Sequence, residues 1–161
     1  MKQLWQAVDF CREMRRQLRF GELSRSSLRL LRLELRGEAV ECEWMSRPPD
    51  VWDAGLRPRT QNRNASLQAL QDALALRDLI FSELSGAQTA TLRVYRQLEG
   101  QPPELIIEGE VARHDVVPKG IKSIAMRAKL QGLRFWLDDG MLEPLQRDPR
   151  GGSSRREPAF V

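Results

Sequence analysis

Between residues 3 and 20, Leu4, Val8, Cys11 and Leu18, with Trp5 and Met14 beside them, recur at helical spacing while Arg12, Glu13, Arg16 and Arg19 take the other side. That pattern predicts an amphipathic helix. Gly21 and the polar run Ser24 to Ser27 stop it. The period then changes to two. Leu31, Leu33 and Leu35 alternate with Arg32, Glu34 and Arg36, and beyond Gly37-Glu38 the residues Val40, Cys42 and Trp44 alternate with Glu41 and Glu43. This is the signature of a β-hairpin. On its polar face Arg32, Glu34 and Arg36 stand against Glu41 and Glu43, so the charges largely cancel, at a few tenths of a kcal/mol per exposed pair.

Pro48, Pro49, Gly55 and Pro58 among scattered charges predict a long irregular connection from Arg47 to Arg63. Asn64 or Ser66 is then expected to cap a helix reaching about Ser85, whose apolar positions, from Leu67 through Leu84, cover far more than one stripe. Such a helix should be largely buried. Leu92 and Val94, then Leu105, Ile107 and Val111, form a second hairpin around Gly100 to Pro103. After Pro118-Lys119-Gly120 the periodicity is ambiguous across residues 123–137: Met126, Leu130, Leu133, Leu137 and Met141 fit a helix, and Ile124, Met126, Ala128 and Leu130 also alternate as in a strand. The helix has the better fit.

Leu18 to Ser24 matches Leu79 to Ser85 at five of seven positions, and both stretches end a predicted helix and precede a hairpin. The fold class expected is therefore α+β: an antiparallel sheet from two β-hairpins packed with helices, in the order α-β-β-α-β-β-α, with an internal αββ pseudo-repeat. The twin hairpins should be related by an approximate twofold axis. One domain is expected over residues 1–145. The Gly-, Ser- and Arg-rich residues 146–161 should form a flexible tail.

With 161 residues, 41% apolar and 30% charged, the chain has globular composition and enough length for a real core. The N-terminal stretch is charged and amphipathic, with no apolar signal core, and no segment approaches the roughly 20 apolar residues of a membrane span. A cytoplasmic protein is expected. Cys11 and Cys42 lack C-x-x-C spacing and read as two buried thiols. The net charge of +4 is a small excess.

Candidate chemistry is thin. His114 is the sole histidine; beside Asp115 it would make a dyad without a nucleophile. Asp138-Asp139-Gly140 lacks the later oxygens and the closing glutamate of a calcium loop and reads as a turn. Asp50 and Asp53 flank Val51-Trp52, where ordinary Asx turns explain them. No phosphate loop, nucleophile elbow or zinc-binding helix motif occurs, so no cofactor, metal site or catalytic residue is assigned.

The element order is similar to that of secretion-chaperone-type α+β domains and to the helix-hairpin-helix-hairpin order of homing endonucleases. No residue motif extends either likeness. Only Glu22 and Glu83 supply acidic side chains at the helix ends that endonuclease chemistry would use. The function expected is that of a soluble binding or assembly module without catalytic activity, acting through protein-protein contacts. Trp5, Phe10 and Trp52 are its candidate interface anchors, and homodimerisation is the expected assembly. The alternative is weak, non-specific nucleic-acid binding by Arg12, Arg16 and Arg19 on the first helix with Arg57, Arg59 and Arg63 along the 47–63 loop.

Overall fold

The alternating leucines and the Val40-Cys42-Trp44 row do pair as antiparallel strands, β1 (Arg29–Arg36) and β2 (Ala39–Met45), joined by a two-residue turn in which Gly37 takes φ +60°. Glycine enters that conformation at no steric cost. The structure, a computed structural model, describes residues 8–14, 28–49, 51–115 and 117–145, with the backbone alone for Val51 and Trp52. Residues 8–14 are helical (α1). After β2 come a 3-10 turn (Val51–Gly55) and α2 (Pro58–Glu83), then β3 (Thr89–Arg96), β4 (Glu104–Ala112) and α3 (Ile124–Leu130). Three short strands follow, β5 (Leu133–Arg134), β6 (Trp136–Asp138) and β7 (Met141–Glu143).

The class is α+β, but the sheet is not antiparallel throughout. Its order is β1-β2-β3-β4-β5, and β2 runs parallel to β3. The cause is α2. A tight turn can only reverse a strand, whereas a helix carried back over the sheet returns the chain to the end where it began, so the next strand enters parallel. The twofold axis expected between the hairpins would bring equivalent strands together. Here the contact joins β2 to β3, the second strand of one hairpin to the first of the other. β6 and β7 form a separate ribbon.

Helix α2 starts at Pro58, six residues before Asn64. Proline is well suited to a first helical turn, where its missing N–H has no partner to lose. Ser66, expected as a cap, lies inside the helix, and its hydroxyl accepts the Leu142 N–H at 2.9 Å. Leu70, Ala73, Leu76 and Ile80 are wholly buried and meet Cys42, Trp44, Leu92, Val94 and Ile107 on the inner sheet face. Phe10 and Met14, four residues apart, turn α1 onto the same core. That stripe differs from the expected one, since Val8 is 42% exposed.

The ambiguous stretch 123–137 proves to be helix and then strand. Ser123 caps α3 by accepting the Met126 N–H, and Gly132 at φ +101° ends it. Gly132 also lets β5 press onto β4: a Cβ on Gly109 would stand 2.3 Å from the Gly132 carbonyl oxygen.

Two arginines, Arg113 past β4 and Arg77 on α2 itself, tie the C-terminal end of α2 to the end of β4. Arg113, just past β4, donates to the carbonyls of Ala87 (2.7 Å), Phe81 (2.6 Å), Leu84 (2.9 Å) and Ser85 (3.3 Å). Buried Arg77 donates to those of Ala112 (2.7 Å) and Asp115 (3.0 Å), and the Phe81 ring meets both guanidiniums. No helix among the described residues is long and apolar enough to cross a membrane.

Candidate functional site

Parallel strands present their carboxyl ends on the same side, and in open sheets with helical crossovers that is where ligands settle. β2 and β3 end together at Met45 and Arg96, and a crevice of about 300 Å³ opens there. Its walls come from five parts of the chain. Met45 ends β2 and Pro48 and Pro49 follow it; Ala65, Ser66 and Ala69 face it from α2; Leu98 stands on the β3–β4 turn; Ile106 comes from β4; Met141 and Leu142 come from β7. Leu98 is 42% exposed at the mouth.

Of the three charged residues lining this crevice, Arg47 and Arg96 are already engaged, and the third, Glu143, is exposed. Arg47 is buried, its Nε 2.9 Å from an Asp72 carboxylate oxygen, and Gln68 donates to the same carboxylate at 2.9 Å. Arg96 donates to Glu104 at 2.6 Å and to the Leu142 carbonyl at 2.7 Å. These bonds fix the rim: one ties the loop after β2 to α2, the other ties β3 to β4 and β7. What faces the opening is then mainly apolar, as small-molecule and side-chain pockets usually are. None of these lining residues stands out in the sequence except through the Pro48-Pro49 pair, because the crevice exists only once β2 and β3 are known to be parallel.

The sheet's outer face carries the charges. Arg32, Glu43, Arg93, Glu108 and Arg134 lie opposite one another across all five strands, alternating in sign. Arg93 reaches Glu43 at 3.5 Å and Glu108 at 3.9 Å, and Arg134 reaches Glu108 at 3.4 Å. On β1, Glu34 binds Arg32 and Arg36, which hold its carboxyl below the usual carboxylate range, Arg32 most strongly.

The residues singled out in the sequence do not converge. Phe10 is enclosed in the core and presents nothing to a partner. Trp52 falls on the 3-10 turn, and Trp5, Arg16, Arg19 and the tail 146–161 lie outside the described residues. Arg12 is exposed, 4.0 Å from Asp9. Arg57 is an exposed residue before α2. Arg59 and Arg63 both pair with Asp139, Arg63 at 2.5 Å. Asp139 and Gly140, with φ of 52° and 77°, form the two-residue turn between β6 and β7, so this acidic run serves as a turn and an arginine anchor. His114 is exposed, and the Asp115 carbonyl accepts from Arg77. Asp53 accepts from the Asn64 amide at 3.1 Å, and Asp50 is outside the described residues. Among the described residues no three acidic, His or Cys side chains are grouped to hold a metal ion. No protein-family model, curated protein or solved structure matches the chain.

Proposed function

We propose that this chain is a non-catalytic binding module and that the crevice at the carboxyl ends of β2 and β3 receives an apolar side chain from a protein partner. The observation that carries the reading is the pairing of Arg47 with Asp72 and of Arg96 with Glu104 at the crevice walls. Charges satisfied internally have little to offer a polar ligand, whereas Met45, Leu98 and Met141 gain by losing water. A volume of about 300 Å³ suits one or two large apolar side chains. The alternative of nucleic-acid binding is disfavoured by Asp139, which neutralises two of the loop arginines.

A displayed random-peptide library selected on the protein tests this. Enriched peptides are expected to share one large apolar anchor and to lose binding to Ala65→Trp, which fills the crevice, and to Leu98→Glu, which charges its mouth. Peptides that bind both variants as well as the original protein would place the activity elsewhere.

A further inference from the structure

The sheet ends differently on its two sides. Beyond β4 lies β5, only two residues long, and the Leu145 N–H donates to the Leu105 carbonyl at 2.7 Å, so that edge is covered or broken. Beyond β1 no strand lies among the described residues, and on that side its backbone groups have no backbone partner among them. Open edges of that length recruit other strands unless something prevents it.

Natural edges are protected by charges that repel a second copy. The charges of β1 have the opposite property. We infer that β1 pairs antiparallel with β1 of a second copy, about a twofold axis through Leu33. In that register Arg32 of each copy stands opposite Glu34 of the other and Leu33 faces its own equivalent, while Leu31, 43% exposed, sits at the register shift beyond them. Shifting the axis to Glu34 would instead oppose two glutamates and set Arg32 against Arg36. The twofold arrangement is self-complementary, as an isologous contact requires.

Glu34 lies directly opposite Glu41 on β2, a like-charge pair that Arg32 already bridges within the chain, 3.1 Å from Glu41, while Arg36 also binds Glu34. In the dimer, Arg32 of the second copy joins this charge cluster from across the axis. The row Arg134-Glu108-Arg93-Glu43-Arg32 then continues across the axis into Glu34 of the second copy without a break in its alternation. The register shift between Leu30 and Arg32 twists the far end of the strand and keeps the added pairing short. Association of this size is weak and concentration-dependent.

Sedimentation of the full chain across a concentration series tests the pairing. The unaltered protein should move from 18.5 kDa toward twice that mass. Arg32→Glu and Glu34→Arg should each weaken self-association roughly tenfold, since two attractive pairs become repulsive. Both positions are on the outer face, and circular dichroism checks that each variant stays folded. The double variant, which exchanges the two charges, should dimerise again, and the two single variants should associate when mixed. A protein that stays monomeric at every concentration would overturn the inference. So would a dimer indifferent to both single changes, since its contact would lie on another face.

Discussion

Arg113→Ala should be among the most damaging single changes outside the apolar core. The last carbonyls of a helix have no partner within it, and one side chain from past β4 takes the Phe81 carbonyl in the last turn of α2 together with those of Leu84, Ser85 and Ala87 just after it. Three of its bonds are short: 2.6 Å to Phe81, 2.9 Å to Leu84 and 2.7 Å to Ala87. A hydrogen bond from a charged donor contributes about 1.5–3 kcal/mol when buried. Arg113 is half-buried, and water can replace part of what is lost, so about 1 kcal/mol per short bond is the fitting value. The sum, about 3 kcal/mol, includes the attraction of a cation to a helix C-terminus. Urea titration reads it directly: with a slope near 2 kcal/mol per molar, the midpoint should fall by about 1.5 M. Arg113→Lys keeps the charge but lacks the planar fork that reaches several carbonyls together, and should recover less than half. A loss below about 1 kcal/mol, or full rescue by lysine, would mean that the four carbonyls are not held as a unit.

Gly109→Ala should cost about 3 kcal/mol or more, because its Cβ would meet backbone atoms of Gly132 and Leu133 that cannot move aside as a side chain can; unfolding near the original midpoint would show that β5 does not seat as described. Asp139→Asn keeps a residue that tolerates φ 52° but removes the charge paired with Arg59 and Arg63, leaving Arg63 its 2.8 Å bond to the backbone carbonyl of residue 139. Stability should drop by less than about 1 kcal/mol, salt should erase the difference, and retention on heparin should rise; unchanged retention would show that the pairing does not restrain these arginines. Burial, with lesser effects from Cys11 and Glu43, pushes the Cys42 thiol far above its ordinary value. The unfolded thiol ionises near 8.5 while the folded one stays protonated, so the unfolded chain binds fewer protons above that pH, and stability falls by up to about 1.4 kcal/mol per pH unit. Cys42→Ala should flatten this alkaline loss, measured by urea titration between pH 8 and 10; an identical slope in both proteins would assign the loss to other groups.

The elements legible in the sequence are those whose burial is local and periodic. Leu33 and Leu35 against Arg32 and Glu34 could only be a strand with one wet face. The apolar breadth from Leu67 to Leu84 required a helix covered on more than one side. Period two, however, reports which face of a strand is buried and not which strand lies beside it, so nothing local distinguishes a β2 parallel to β3 from an antiparallel neighbour. The start of α2 was hidden for a related reason. Pro58 and the charges around it read equally as loop or as a first helical turn, and Asn64 and Ser66 resemble caps until Asp53 and Leu142 are seen to take their bonds. Between residues 123 and 137 both periods fit because the chain changes structure at Gly132, whose positive φ has no periodic trace. The crevice was illegible altogether, since its walls come from five segments that only the crossover brings together.

That crossover links the two surfaces proposed for binding. Because α2 returns the chain across the sheet, β2 and β3 end side by side, and the loop after β2, the first turns of α2 and the β3–β4 turn all meet at one end. The same pairing puts each hairpin's remaining strand outward, β1 on one side and β4 on the other. The chain after α3 then has a single free β4 edge to cover. It does so with β5 and Leu145, and between them β7 supplies Met141 and Leu142 to the crevice. One segment thus closes an edge and builds a wall. Among the described residues nothing performs that service for β1, and β1 is the strand whose charges match their own reflection.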